Sequence, residues 1–202
     1  MSPRVYRSTR RAAQAQATRE AIVAAAARLF AERGYAGTTM RAVAEAAEVA
    51  VESVYAVASK PSLLLLALTH VRGGETLDHP MARRIAETSD QREQIRLVAR
   101  FATDLIGRVA PLERAFATAA ETDPQMRQLW GVAMGRRLAD ATAVMGAVAA
   151  NGPLRVGVER AGQTLWAIVN ADTWHLSTQQ LGWTESQFAD WLEDILVSVV
   201  LK

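Results

Sequence analysis

Side chains that could do chemistry are sparse in this chain, and most suit a polyanion better than a reaction. The three histidines, His70, His79 and His175, lie far apart. Asp172 and His175 stand three residues apart and would share a helix face, a spacing more typical of a surface contact than of a catalytic pair. No H-E-x-x-H, glycine-rich phosphate loop or nucleophile elbow occurs. Without cysteine, neither a disulfide framework nor a thiolate zinc site can form. Catalytic residues, a metal and a cofactor are therefore not expected. The basic and hydroxyl side chains are better placed. Arg4, Arg7, Arg10 and Arg11 crowd the N-terminus, Thr38 and Thr39 precede Arg41, and Val51, Glu52, Ser53 and Tyr55 stand shortly before Lys60.

Such groups act together only if helices present them together, and the apolar spacing supplies the helices. Ile22, Ala26, Leu29 and Phe30 recur at three and four residues, the stripe of an amphipathic helix. Thr18 is placed to cap its start, and Gly34 to end it in the left-handed conformation, with Tyr35 just beyond. Thr38 is placed to cap a second, shorter helix whose stripe is Met40, Val43, Ala44 and Ala47. Glu48, Val49 and Ala50 leave room only for a tight turn before a third helix over 51–57, anchored by Val54 and Tyr55. Helix, tight turn, helix, with a supporting helix in front, is the geometry that lays a recognition helix in the major groove of duplex DNA.

These residues also carry a resemblance. T-R-E-A-I, the helix ending L-F-A-E-R-G-Y, the pair T-T, A-V-A-E-A-A, and V-Y before S-K follow one another between Thr18 and Lys60. In that order they resemble the DNA-binding domain of the TetR family of bacterial transcription regulators. The chain departs from the family pattern at the turn. Glu48 stands where the family usually has Gly, and Ala50 where it usually has a Ser cap. The stretch after Tyr55 is one residue shorter, with Ala56, Val57 and Ala58. Glu48 must then adopt a left-handed backbone or alter the turn, and a missing cap typically costs about 1 kcal/mol.

Position within the reader suggests roles. Thr38 and Thr39 open a helix whose free N–H groups favour a phosphate, and Arg41 in the same turn can reach phosphate or a base edge. On the third helix Val51 suits a thymine methyl, Glu52 a cytosine amino group, and Ser53 a base or a phosphate. Tyr55 is a further candidate, although such a tyrosine is more often half-buried. The four N-terminal arginines suit a minor groove or a run of phosphates. Lys60 resembles the family's phosphate-clamping lysine.

Charge follows the same division. Residues 1–60 carry nine Lys or Arg against five acids, net +4, whereas the remainder is net −2 and the whole chain +2. A basic head on a slightly acidic body is what phosphate attraction asks for. With 202 residues, half of them apolar, there is enough chain for a substantial core. No apolar run reaches membrane-spanning length, so no membrane partner is expected, and the lack of cysteine suits a reducing cytoplasm.

Past Lys60 the chain reads as helix throughout. Leu63 to Leu66 and Leu68 make a fourth helix apolar on nearly every side, which resembles the family's connecting helix. The stretch 73–90 carries enough Gly, Pro, Ser and Asp to break or loop the chain. Asp90 with Glu93 opens the next helix, Pro111 a short one, Pro124 a long one, and a further helix spans about 154–181. Thr184 with Gln187 forms a capping box for the last. The expectation is an all-α protein of about nine helices, a reader over 1–60 and a helical effector-binding and dimerisation domain over 61–202. The last two helices suit a two-fold homodimer, with Trp174, Phe188, Trp191 and Ile195 at its interface. The resemblance implies an effector cavity between the middle helices. Phe101, Leu105, Phe116, Trp130, Met134, Trp166, Asn170 and Trp174 are its candidate lining, and such walls favour a small hydrophobic or aromatic molecule. The expected function is a homodimeric repressor released from operator DNA by that effector. The alternative is a helical small-molecule-binding protein with a degenerate DNA reader.

Overall fold

The computed structural model describes the backbone at 3–73 and 80–202, with side chains at 12–73, 80 and 83–202. Ten α-helices make up most of these residues: α1 Pro3–Gly37, α2 Met40–Ala46, α3 Val51–Val57, α4 Lys60–Val71, α5 Pro80–Glu87, α6 Gln91–Thr122, α7 Pro124–Ala149, α8 Val158–Ile168, α9 Ala171–His175 and α10 Glu185–Val200. The fold is all-α, with a single backbone bridge, Leu154 to Leu201, as the one β-type pairing among the described residues. α6 is the central helix, against which α1, α4, α5, α7, α9 and α10 all pack.

The first three helices form as their stripes dictate. Ile22, Ala26, Leu29 and Phe30 are all buried, and Gly34, at φ 68°, breaks the helical path before the last residues of α1, where the sequence predicts the turn. Thr18 does not cap that helix. The Ala- and Gln-rich stretch before it is itself helical, and the Thr18 hydroxyl donates instead to the Gln14 carbonyl at 2.9 Å. α2 is capped by Thr39, whose Oγ1 accepts from the Ala42 N–H at 3.0 Å. Thr38 has turned inward. It is 1% exposed, and its hydroxyl lies 3.0 Å from the Leu29 carbonyl and 2.9 Å from that of Gly34. The end of α1 leaves carbonyls without partners, and Thr38 is the donor that satisfies them.

The turn between α2 and α3 is a complete Schellman motif. Val49 N–H donates to the Ala44 carbonyl at 3.0 Å and Glu48 N–H to that of Glu45 at 3.3 Å, with Glu48 at φ 56° in the position that favours glycine. The recognition helix α3 starts from Ala50 with no side-chain cap. α3 and α4 then meet at a bend of 73°.

Beyond the reader, three boundaries differ from the pattern. α6 runs unbroken through Pro111, although an internal proline costs roughly 3 kcal/mol. Pro111 itself is exposed, while Ile106, Val109, Leu112 and Phe116 on both sides of it are buried, and that continuous apolar stripe outweighs one lost hydrogen bond. The predicted helix over 154–181 is divided. Asn170 accepts from the N–H groups of Asp172 and Thr173, both at 2.9 Å, and so starts α9 afresh, followed by a π-helical turn, Leu176–Gln180. Within the predicted break over 73–90 lies α5, pinned by buried Ile85, whose carbonyl accepts from Gln94 Nε2 at 2.9 Å. The segment 74–79, with His79, lies outside the described residues. The described residues thus form ten α-helices where about nine were predicted. The Asp90 cap and the Thr184–Gln187 capping box are both present. No single helix among the described residues is long and apolar enough to cross a membrane.

Candidate DNA-reading face and ligand cavity

α3 is short, so its seven residues divide sharply. Val54 is fully buried and anchors the helix. Glu52, Tyr55 and Ala56 face outward, and Val51 and Ser53 are half-buried at the edge. Tyr55 is 61% exposed rather than half-buried, so its ring stands free of the core. Thr39 and Arg41 are exposed at the start of α2. Arg41 Nε sits 3.0 Å from Glu45 Oε1, a pair on the open surface, where such contacts hold weakly and a phosphate can displace them. Thr38, buried and committed to α1, drops out of the phosphate-facing set. Arg4, Arg7, Arg10 and Arg11 fall on the first turns of α1, with side chains outside those described.

Lys60 occupies the start of α4 with its Nζ 4.4 Å from the centre of the Tyr35 ring. Tyr35 stacks in turn on Phe30 of α1, centroids 6.0 Å apart. The aromatic face orients the ammonium, and partial burial lowers the Lys60 pKa. The Tyr35 hydroxyl has its pKa raised by burial and, secondarily, by the negative charge of Asp123.

In the helical domain a cavity of about 260 Å³ lies between α5, α6, α7 and α8. Its wall is mostly aliphatic and aromatic, with Val98, Phe101, Leu105, Val144 and Leu165, and at one end stand Arg72, Glu113 and Arg137. Arg72 Nη2 donates to Glu113 Oε1 at 3.0 Å. Arg137 Nη2 donates to the Trp166 carbonyl at 2.9 Å while its guanidinium lies 5.5 Å from the Trp166 ring centre. Burial lowers the Arg137 pKa; Glu113 opposes that shift and Arg72 adds to it. A wider groove of about 860 Å³ separates the end of α1 from α6 and α9, with Tyr35, Asp123 and Trp174 on its sides.

Of the predicted lining, Phe101, Leu105 and Trp166 reach the cavity. Trp130, Met134 and Asn170 line a neighbouring surface depression together with Trp166. Asn170 is also occupied as the cap of α9. Phe116 is fully buried against the Trp130 ring, centroids 5.3 Å apart, and belongs to the core. Trp174 lies over Phe188 edge-on at 5.1 Å. Phe188 is itself fully buried, which removes it from any interface, whereas Trp191 and Ile195 are half-buried. The charged end of the cavity was missed. Its signal was present in Glu113, which interrupts the buried run Ile106, Val109, Phe116, Ala120 at the spacing of the stripe. Asp172 and His175 form no ion pair, and among the described residues no group of three His, Asp or Glu could hold a metal ion.

Comparison with known proteins agrees with this geometry. Residues 22–60 match the family model described as bacterial regulatory proteins, tetR family. No curated protein matches the sequence. Among solved structures, FadR from Bacillus subtilis in complex with stearoyl-CoA is 18% identical, over 88% of this chain and 97% of that one, with a TM-score of 0.70. A regulator from Rhodococcus sp. described as TetR-family is 15% identical, over 91% and 98%, with a TM-score of 0.74. AibR in complex with isovaleryl coenzyme A and operator DNA is 19% identical, over 90% and 97%, with a TM-score of 0.59. At these identities the likeness shows the shared fold.

Proposed function

We propose that this chain, a TetR-family transcriptional regulator by its N-terminal domain, is a homodimeric repressor that a small, largely apolar effector releases from operator DNA. The observation that carries the reading is the α2–turn–α3 unit, which buries Val54 and turns Glu52 and Tyr55 toward solvent, with Ser53 half-buried at the edge and Arg41 exposed on α2. Thr39, Arg41, Lys60 and the N-terminal arginines supply phosphate contacts, while Val51, Glu52, Ser53 and Tyr55 meet base edges. The protein would act on chromosomal DNA in the cytoplasm.

The cavity is the effector site in this reading. Stearoyl-CoA and isovaleryl coenzyme A in two structural relatives support an apolar ligand for this fold. Arg72, which follows α4, is part of the cavity's polar end, so an occupant that moves it also moves the helix leading from the reader. The shift can be no larger than the effector's preference for one of the two states. For the dimer, Leu176, Leu181 and Val199 are large apolar side chains exposed around the π-turn and α10, next to half-buried Trp183 and Trp191. Two readers in such a dimer meet DNA roughly 34–36 Å apart, or at a multiple.

A fluorescence titration against the promoter region of its own gene, at several salt concentrations, tests the reading. Specific affinity should exceed that for random duplex by roughly 10³-fold or more. Equal affinity for both would instead favour a ligand-binding protein with a degenerate reader, a reading suggested by uncapped Ala50 and by Glu48 in the turn.

A further inference from the structure

We infer that the occupant of the cavity between α5, α6, α7 and α8 is a small, mostly apolar acid whose carboxylate is held by Arg72, Arg137 and Trp166. The inference rests on the effector-site reading above and gives that effector its chemistry.

The polar end carries two guanidinium groups and one buried carboxylate. Among the described residues Arg72 has its acidic partner in Glu113, 3.0 Å away, with side chains only 13% and 3% exposed. Among the described residues Arg137 has no carboxylate within 4.0 Å; its hydrogen bonds go to the Trp166 carbonyl and the Met134 sulfur. Asp140 stands on the exposed side of the cavity lining and makes no ion pair with either arginine. Among the described residues one positive charge therefore remains without an ion-pair partner beside an apolar wall, where unpaired charge is costly.

Two further donors agree. Arg72 Nε and Trp166 Nε1 are buried N–H groups without an acceptor. Arg72 thus uses half of its fork on Glu113, whereas a guanidinium binds a carboxylate best through two parallel hydrogen bonds. A monoanion at this end supplies the missing charge and accepts the idle donors after small side-chain rotations. Neither an alcohol nor a neutral amide supplies the charge. Size narrows the class further. About 260 Å³ is the space of about nine waters at roughly 30 Å³ each, enough for a short aliphatic or single-ring acid.

Isothermal titration of the full chain with octanoate and 3-phenylpropanoate, each beside its primary amide, tests this at neutral pH. The acids should bind roughly 10- to 100-fold more tightly than the amides, the range of a charge-assisted contact. Arg137→Gln should erase that preference. Trp166→Phe removes the indole N–H while leaving an aromatic wall and should narrow the gap between acids and amides; it serves as the readout if Arg137→Gln melts early by circular dichroism. Equal binding of acid and amide, or tighter binding of amide, overturns the acid and leaves the effector cavity standing. If none of the four compounds binds, the acid and the effector cavity fall together, whereas DNA titration still judges the reader.

Discussion

Arg72, just past the end of α4, donates through Nη2 to the Glu113 carboxylate in the middle of α6 at 3.0 Å. This pair joins the helix that leaves the reader to the wall of the cavity. Removing one member leaves its partner charged in a dry site, which typically costs 3–5 kcal/mol, whereas replacing both by apolar residues is often neutral. Glu113→Leu should therefore destabilise by about 3 kcal/mol in urea denaturation, the low end of that range because Arg72 keeps slight solvent contact. Adding Arg72→Met should recover most of the loss. Strictly additive losses would mean that the two residues are not coupled.

Gly162 lets α8 cross α7 closely. A Cβ placed there would stand 2.5 Å from Thr142 Oγ1 and 2.7 Å from Thr142 Cα. Alanine gains roughly 1 kcal/mol of helix propensity over glycine, but Thr142 Cα is backbone and cannot yield without moving α7. Overpacking of this kind costs typically 1–3 kcal/mol, so Gly162→Ala should lower the midpoint of thermal unfolding. A rise would show that α7 and α8 can part freely. Because α8 carries Leu165 and Trp166 of the cavity wall, acid binding should weaken with it.

Glu48 occupies a left-handed position, φ 56°, in which a non-glycine residue is strained. Glu48→Gly should raise stability by about 0.5–1 kcal/mol in chemical denaturation, since the Schellman hydrogen bonds need no side chain. It also removes a negative charge from the turn before the recognition helix, so affinity for any duplex should rise slightly at low salt. Lower stability would mean that the Glu48 side chain makes a compensating contact.

How far these features were legible depended on their range. The stripe of α1, the turn at Glu48, the missing cap at Ala50 and the Thr184–Gln187 box are local, and each was visible within a few residues of sequence. Thr38 was misplaced because two adjacent threonines can both cap, and only the carbonyls of Leu29 and Gly34 decide which turns inward. Pro111 and the long predicted helix over 154–181 failed for a related reason, since packing against α6 overrides a local breaker and Asn170 restarts a helix that periodicity alone would continue. Arg72 lies just past α4, Glu113 on α6 and Arg137 on α7, and their meeting is a property of tertiary packing that no spacing reveals.

Affinity and selectivity should separate within the reader. Lys60 lies over the Tyr35 ring at the head of α4, where it can meet a phosphate but not a base edge, whereas Ser53 sits at the edge of the recognition helix α3. Lys60→Ala should therefore weaken binding to specific and random duplexes alike and reduce the slope of log affinity against log salt by about 1. Ser53→Ala should leave that slope unchanged and alter the ranking among operator variants, because a lost base contact discriminates by roughly 1–3 kcal/mol at one position. The measurement is a set of titrations against one operator, its single-base variants and random duplex, each at several salt concentrations. If both replacements lower affinity uniformly and both reduce the slope, Ser53 is a phosphate contact. Base reading would then rest on Val51, Glu52 and Tyr55, of which Glu52 and Tyr55 are exposed and Val51 is half-buried.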